Sequence, residues 1–187
     1  FKDYKNNLTF RDMFFEILNI TNLKLEDIPK FDNDNNRYCY SFVIQHPANR
    51  IVTKVNEPKL YLTNIYKILQ DDEKKEIKID FLKLNKSELS VEETNIKNIL
   101  DKTKINYPEI YGENIDKNDM EEIITKYAGN KTNYEIQGVI INDLVSNKRY
   151  KVRNNNYEYV KKLKDNNPKI QFTFLKLRNE KKIKEYL

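Results

Sequence analysis

The sequence predicts an α+β fold, in which antiparallel strands are flanked by helices. Three observations support this prediction. Aromatic and β-branched residues cluster in short runs at residues 38–44, 51–55 and 60–69, and such runs are typical of strands. Capping-box residues precede apolar residues at helical spacing in two places. The order of these elements is irregular, whereas a doubly wound parallel sheet would alternate strands with helices.

The first predicted element is a helix that begins near Thr9. Thr9 and Asp12 have the spacing of a capping box, in which each side chain bonds the backbone amide of the other residue. The residues that follow place an apolar stripe at the period of a helix. This stripe consists of Phe10, Met13, Phe14, Ile17 and Leu18. Residues 32–36 are then expected to form a polar turn that leads into the strand at residues 38–44.

The middle of the chain is predicted to alternate strands and turns before a second helix. Residues 46–49 must turn after the first strand, because their proline fixes one backbone dihedral. A charged turn at residues 71–75 follows the third strand. Ser90 and Glu93 form the second capping box, which starts a helix that ends near residue 102.

The C-terminal half is predicted to form a helix, a hairpin and two more helices. Gly129 ends the helix over residues 119–127, since glycine readily terminates helices. Residues 134–142 and 148–152 are close enough in sequence to pair as a hairpin. The last two predicted helices cover residues 154–163 and 170–187.

Length and composition predict one polar but foldable domain. A chain of 187 residues holds one domain with a sizeable core and is too short for two ordinary ones. Aromatic residues make up 12% of the chain, which argues against disorder. The chain begins at Phe1 and ends in a helical pattern, and we expect both ends to be cut. Residues 1–187 are therefore expected to form a single, partial domain.

The single cysteine, Cys39, excludes an internal disulfide framework and fits a reducing compartment. Its aromatic neighbours in a predicted strand favour a buried structural thiol over a reactive one. No apolar run approaches the ~18 residues of a membrane span, and no secretory signal is recognisable. These observations predict an intracellular (cytoplasmic) and not a secreted protein, with no membrane partner.

Positive charge is concentrated at the C-terminal end of the chain. The formal net charge is +5, yet residues 144–187 contain 13 Lys and Arg against 4 Asp and Glu. Because Lys and Arg neutralise phosphates and release counterions, this bias predicts a polyanion partner. The alternative is a solvated, lysine-rich helix face. Residues 154–187 are expected to form a basic helical segment.

Three segments carry a family resemblance. Residues 40–52 form an apolar strand that runs into a Pro-Ala-Asn-Arg-Ile-Val turn, residues 136–141 read Ile-Gln-Gly-Val-Ile-Ile, and Lys151-Val-Arg153 follows. In order and spacing they resemble motifs III, IV and V of the RNA ligase 1 family, the tRNA-repair ligases of T-even bacteriophages and related enzymes of large DNA viruses. The resemblance covers most of the chain in patches, and the Asn-Arg-Ile-Val turn is its most specific part.

The resemblance implies a ligase-type nucleotidyltransferase domain that lacks its N-terminal part. It also implies ATP and Mg²⁺ as cofactors and RNA or nucleotide as the partner. Adenylyl transfer requires a nucleophilic lysine, a divalent metal that neutralises the triphosphate, and cations that hold the phosphates in line. The residues implied to contact nucleotide or phosphate are Ser41, Arg50, Gln137, Lys151 and Arg153.

The cations among these residues have a physical argument of their own. Lys151 and Arg153 alternate along a predicted strand, so both side chains project from one face. They hold phosphates in the functional interpretation and are surface charges on an edge strand in the alternative. The guanidinium of Arg50 suits bidentate phosphate recognition, although it can equally pin its turn to a carboxylate. His46, the one histidine, is interpreted as a hydrogen-bonded turn residue, with contact to a nucleotide or RNA phosphate as the alternative.

Aromatic residues interleave with the basic segment. Tyr150, Tyr157 and Tyr159 have a composition compatible with base stacking. Packing of helix stripes explains the same pattern, and for Tyr157 with Leu163 we prefer core packing.

The chain departs from the family pattern in two motifs. Motif IV normally supplies a carboxylate, and this chain has Gln137 in its place. An amide does not offer the charge that a divalent cation needs, so either Glu135, on the same face of the predicted strand, is the metal ligand or metal-assisted chemistry is impaired. Ser41 stands where the phage enzyme has a glutamate, and its hydroxyl makes a weaker bond than a charge-assisted one.

The lysine of motif I is missing, so no catalytic residue is predicted in this chain. Motif I is Lys-x-Asp-Gly, and its lysine forms the covalent adenylate. The nearest string begins at Lys78 and includes Asp80, but it lacks the glycine and falls between motifs III and IV. We therefore interpret it as unrelated and expect motif I upstream of Phe1.

Three functional hypotheses follow. In the first, the chain is the ordered part of an ATP-dependent RNA ligase. In the second, it is a degenerate ligase-like module that binds RNA or nucleotide without catalysis. The third hypothesis is a non-catalytic structural or assembly protein, for example a virion component, that reuses the ligase fold. A protein partner that supplies or replaces the N-terminal half is compatible with each.

Overall fold

A computed structural model of the chain describes residues 8–49, 51–71, 76–82, 84, 89–143, 146, 148–164 and 170–186. The described residues have an α+β fold with two antiparallel sheets and six α-helices, which confirms the predicted fold class. The ligase-type domain and the single-domain organisation stay predictions. The described residues divide into two compact units, which are drawn from the following segments of the chain. Unit 1 consists of Phe1–Asn49, Val55–Glu109 and Leu144–Asn147, and unit 2 consists of Arg50–Lys54, Ile110–Asp143 and Lys148–Leu187.

Unit 1 packs two helices against one face of a three-stranded sheet. The helices are α1 (Phe10–Thr21) and α2 (Val91–Leu100), and the strands are β1 (Arg37–Gln45), β2 (Lys59–Asp71) and β3 (Glu76–Leu82). The strands are antiparallel in the order β1-β2-β3. A short 3₁₀ helix, Pro47–Asn49, follows β1.

Both predicted capping boxes of unit 1 are confirmed. The Thr9 hydroxyl accepts from the Asp12 amide, and the Asp12 carboxylate accepts from the Thr9 amide. Ser90 and Glu93 bond each other's amides in the same way. Since these contacts span only three residues, they begin α1 and α2 independently of the rest of the fold. The helices then bury apolar side chains against the sheet, and this core includes Ile17, Leu18, Leu60, Leu62, Ile65, Ile96 and Leu100.

Unit 2 combines four helices with a hairpin. Its elements are α3 (Lys117–Ala128), β4 (Gly138–Asp143), β5 (Lys148–Arg153), α4 (Asn155–Lys164), α5 (Ile170–Asn179) and α6 (Ile183–Tyr186). The predicted helix at residues 119–127 and the predicted hairpin are confirmed. The first hairpin strand begins at Gly138 and not at residue 134, because the amides of Glu135 and Ile136 bond Asn133 in a turn.

Two predictions about elements are wrong, and one strand was not predicted. Residues 51–55 include bends in place of a strand. β3 was not predicted, although its sequence alternates apolar and polar residues. The single helix predicted over residues 170–187 divides into α5 and α6, because Lys181 adopts a left-handed backbone with φ of 59°. The amide of Lys182 then bonds the carbonyl of Leu177 at 2.8 Å, the closing bond of a helix C-terminus.

The prediction of a buried thiol is also wrong, since Cys39 is exposed. Tyr38, its neighbour in β1, is buried, and successive residues of a strand point to opposite faces. Cys39 therefore lies on the outward face of the unit 1 sheet. Residues 72–75, which contain most of the predicted charged turn, lie outside the described residues. Among the helices of the described chain, none combines the length and apolar character that crossing a membrane requires.

Candidate nucleic-acid interface

The β4–β5 hairpin has one inward and one outward face. Val139 lies opposite Val152, and Val139 is buried in unit 2. Lys151 lies opposite Ile140 and Arg153 lies opposite Gly138, one residue out of phase with the pair of Val139 and Val152. Because side chains alternate along a strand, these residues belong to the outward face.

The outward face of β5 carries three exposed cations. Arg149, Lys151 and Arg153 follow one another at every second position of the strand, and we call them the basic face. The prediction that Lys151 and Arg153 share one face is thus confirmed. Arg149 was not predicted as a site residue, although the same alternation places it there.

The three cations differ in their partners. Arg153 Nη1 donates to Glu158 Oε1 at 3.1 Å, so its charge is already paired. Arg149 and Lys151 have no carboxylate partner among the residues that the structure describes. An anion can therefore bind Arg149 and Lys151 without breaking an existing ion pair.

Gly138 permits the close pairing of the two strands at the end of the basic face. Its φ is +131°, and a Cβ on this residue would lie 2.2 Å from the carbonyl oxygen of Val152. A side chain at this position would clash with the backbone of β5. The glycine of the segment that resembles motif IV thus has a structural role here, which is independent of any ligand.

Asn154 connects the hairpin to α4. Its side chain is fully buried, and its Nδ2 donates to the carbonyls of Asn133 and Ile136 at 2.7 and 2.9 Å. Its Oδ1 accepts a hydrogen bond from the amide of Asn156, so Asn154 is the N-cap of α4. Its own amide donates to the carbonyl of Gln137. Sequence reasoning missed this residue, although asparagine directly before a helix is a recognised capping signal.

Gln137 and Glu135 both precede β4 and are exposed. Residues 134 and 135 form a turn, so the prediction that Glu135 and Gln137 share one face of a strand is wrong. The carbonyl of Glu135 accepts from the Thr53 hydroxyl at 3.0 Å, which leaves the carboxylate outside this contact. No cluster of three or more His, Cys, Asp or Glu suited to a metal ion occurs in the described part of the chain. The metal role of Glu135 stays a prediction.

The two remaining site residues are Ser41 and Arg50. Ser41 belongs to unit 1, where it is half-buried in β1, beside a register shift between Ser41 and Phe42. Its carbonyl accepts from the Thr63 hydroxyl at 3.0 Å. Arg50 lies outside the described residues. The structure therefore brings Lys151, Arg153 and the backbone of Gln137 together in unit 2, and the roles of all five residues stay predictions.

His46 has the surroundings of a structural residue. It is buried, its Nδ1 accepts from the amide of Ala48 at 3.1 Å, and its Nε2 lies 3.3 Å from Glu16 Oε2. Since both ring nitrogens are engaged, the interpretation as a hydrogen-bonded turn residue is confirmed.

The tyrosines of the basic segment divide into two groups. Tyr157 and Leu163 are buried, which confirms core packing for this pair, and burial raises the pKa of the Tyr157 hydroxyl. Tyr150 and Tyr159 are exposed. Their rings are accessible to a stacking partner.

A second polar cluster, in unit 1, was not predicted. The carboxylate of Asp32 is inaccessible to solvent and pairs with Lys67, while Asn36 Nδ2 donates to it at 2.9 Å. Burial alone would raise the pKa of Asp32, but the hydrogen bonds from Lys67 and Asn36 outweigh burial and lower it to about 2. The Tyr38 hydroxyl donates to Glu92 at 3.2 Å, and burial together with this carboxylate raises the pKa of Tyr38. Lys67 Nζ also lies 3.9 Å from Glu92, so one lysine serves both carboxylates of the cluster and links β2 to α2.

No family model, curated protein or solved structure matches the chain. The resemblance to the RNA ligase 1 family therefore rests on the sequence motifs alone and stays a prediction.

Proposed function

We propose that this chain is a ligase-like module that binds RNA through the basic face of β5 and does not itself catalyse adenylyl transfer. The observation that carries this proposal is the run of exposed cations at Arg149, Lys151 and Arg153. Alternate residues of a strand are about 7 Å apart, so the three charges form a line along β5. A line of cations neutralises several phosphates of one strand and gains affinity through counterion release.

The ligase-like part of the proposal is supported by the motif resemblance. In a complete and active relative, ATP and Mg²⁺ would be the cofactors, and the metal would neutralise the triphosphate. In this chain Lys151 and Arg153 are the phosphate-binding candidates, and Ser41 and Gln137 are candidates for nucleotide contacts. The amide of Gln137 lacks the charge of the family carboxylate, which favours binding without catalysis. We expect this activity inside the cell or within a virion.

The test measures binding of a fluorescein-labelled oligouridylate by anisotropy at several salt concentrations. Arg149→Ala/Lys151→Ala should weaken binding and lower the magnitude of the slope of log K against log salt by about 1.4, since each phosphate contact with a single strand contributes about 0.7. The control is Lys24→Ala/Lys102→Ala, which removes two exposed charges from unit 1. If both double variants weaken binding equally, or neither does, the basic face is not the RNA site.

The assembly hypothesis is supported by a different observation. The outward face of the unit 1 sheet carries apolar side chains, with Ile77 71% exposed and Ile79 also exposed. The rings of Tyr66 and Phe81 pair on the same face, 4.8 Å apart, and Cys39 lies opposite Tyr66. Exposed apolar groups on a sheet face favour a protein partner, such as the one that would supply the N-terminal half.

The position of Cys39 provides a direct test of that hypothesis. Its thiol should react with a maleimide in the isolated chain and be protected in the assembled protein. Labelling at the same rate in both preparations would exclude this sheet face as the interface. Because Cys39 is the single cysteine of this chain, adduct mass on this chain reports Cys39 alone.

A further inference from the structure

An open groove in unit 2 adjoins the basic face. It lies between α4 and α5 and has a volume of about 500 Å³. Its floor includes the buried side chains of Leu163 and Leu177. Its charged lining consists of Lys161, Lys162, Lys176, Lys182, Glu158 and Glu180. Four lysines against two glutamates give the groove a net positive charge, which suits an anion.

The lysines of the groove are only partly neutralised by its carboxylates. Lys182 Nζ lies 3.4 Å from Glu180 and Lys161 Nζ lies 3.9 Å from Glu158. Lys162 is exposed and has no carboxylate partner among the residues that the structure describes. Lys161 and Lys162 are adjacent on α4. Lys161 has a carboxylate at 3.9 Å and Lys162 has none among the described residues, so both charges can bind an anion.

Glu158 links the groove to the basic face. Its Oε1 accepts from Arg153 Nη1 at 3.1 Å and also lies 3.9 Å from Lys161 Nζ. One carboxylate thus lies between a cation of β5 and a cation of the groove. A phosphate at this position would replace the carboxylate as the partner of both cations.

An exposed aromatic ring completes the lining. Tyr159 lines the groove, and its hydroxyl donates to Glu185, which fixes the position of the ring. A positioned aromatic ring beside lysines provides stacking for a base and neutralisation for its phosphates. A free polyphosphate would use the lysines and leave the ring unused.

We propose that the α4–α5 groove is a second subsite for single-stranded RNA, and that Glu158 occupies its cations when no phosphate is bound. This inference deepens the proposed function, since it extends the RNA path from β5 to α4. The groove binds phosphate through Lys161 and Lys162, and Tyr159 stacks on a base. Glu158 competes with the phosphate for Arg153 and Lys161.

The first test increases affinity, so that misfolding cannot imitate the expected result. Glu158→Gln removes the competing charge and keeps the shape of the side chain, and we expect binding of the labelled oligouridylate to become about threefold tighter. The matched control is Glu121→Gln on α3, which also removes one ion-paired glutamate from unit 2. Equal affinities for both variants and the parent chain would overturn the role of Glu158.

The second test removes the groove cations. Lys161→Ala/Lys162→Ala should weaken oligouridylate binding about tenfold and lower the magnitude of the salt slope by about 1.4, while Lys24→Ala/Lys102→Ala serves as the charge-matched control. Inorganic triphosphate distinguishes the source of the phosphate. If the groove variant loses affinity for RNA and Tyr159→Leu does too, the ligand is a nucleic-acid strand. If Lys161→Ala/Lys162→Ala loses affinity for triphosphate but not for RNA, the proposal of an RNA subsite is overturned.

The outcomes also separate this inference from the proposed function. RNA binding that depends on Arg149 and Lys151 but not on Lys161 and Lys162 would overturn the groove subsite and leave the basic face intact. A parent chain that binds no RNA at any salt concentration would overturn both. Thermal melting of each variant identifies any loss of affinity that results from unfolding.

Discussion

Glu158 accepts a hydrogen bond from Arg153 at 3.1 Å across the junction of β5 and α4. The two cations that resemble motif V are therefore not equivalent. Arg153 already has a carboxylate partner, whereas Lys151 has none among the described residues. A ligand gains a full charge interaction at Lys151 but must compete for the guanidinium of Arg153.

This difference predicts unequal effects of the single substitutions on RNA binding. Lys151→Ala should lower the magnitude of the salt slope by about 0.7, because it removes one contact with a phosphate of a single strand. Arg153→Ala should weaken binding by less than Lys151→Ala does, because a phosphate gains Arg153 only by displacing the carboxylate of Glu158. Salt titrations of the two variants by anisotropy measure both effects. A larger loss of affinity for Arg153→Ala than for Lys151→Ala would contradict competition by Glu158.

Asn154 should be among the most sensitive positions for stability. Asn154→Ala removes the N-cap of α4 and leaves the carbonyls of Asn133 and Ile136 without their donor. We expect a loss of about 2–4 kcal/mol in the free energy of unfolding, measured by urea denaturation. The control is Asn142→Ala, an exposed asparagine of β4, which should change stability by less than about 0.5 kcal/mol. Equal losses for the two variants would contradict a structural role for Asn154.

The buried carboxylate of Asp32 predicts a specific loss of stability in acid. Its pKa in the folded chain is about 2, below the ordinary value of 3.8. The folded state therefore binds this proton less readily than the unfolded state does, and the stabilisation is complete above pH 3.8 and lost as the pH falls towards 2. Asp32→Asn should flatten the dependence of the melting temperature on pH between these values. The control is Asp27→Asn, at an exposed position of unit 1. If the melting temperature of Asp32→Asn depends on pH as steeply as that of Asp27→Asn, Asp32 is not the source of the loss of stability in acid.

The absence of a motif I lysine predicts no covalent chemistry by this chain alone. After incubation with ATP and Mg²⁺, intact-mass spectrometry should find no AMP adduct on the chain. An adduct mapped to a lysine of the present sequence would contradict the proposal of a non-catalytic module.

Elements that depend on local contacts could be predicted from the sequence. The capping boxes at Thr9 and Ser90 were predicted because both partners lie within three residues. Predictions failed where the deciding contact is distant or depends on backbone conformation. The β-branched residues 51–55 have strand propensity, yet the structure places bends there. β3 alternates apolar and polar residues over only seven positions, and it pairs with β2, which supplies its hydrogen-bonding partners.

The candidate site shows the same division. Alternation along a strand was sufficient to predict that Lys151 and Arg153 share one face, because the period of a strand is a property of the backbone. The pairing of Arg153 with Glu158 and the burial of Asn154 depend on how α4 packs after β5. Cys39 is exposed because the helices of unit 1 pack against the opposite face of the sheet.

The sequence by itself thus determined the fold class, the helix starts, the hairpin and the concentration of positive charge. The tertiary structure decided which strands find partners, which faces are buried and which cations remain unpaired. The physical reason is the range of the interactions. Caps and strand alternation act over two or three residues, whereas ladders, burial and the Glu158 contacts require elements to pack together.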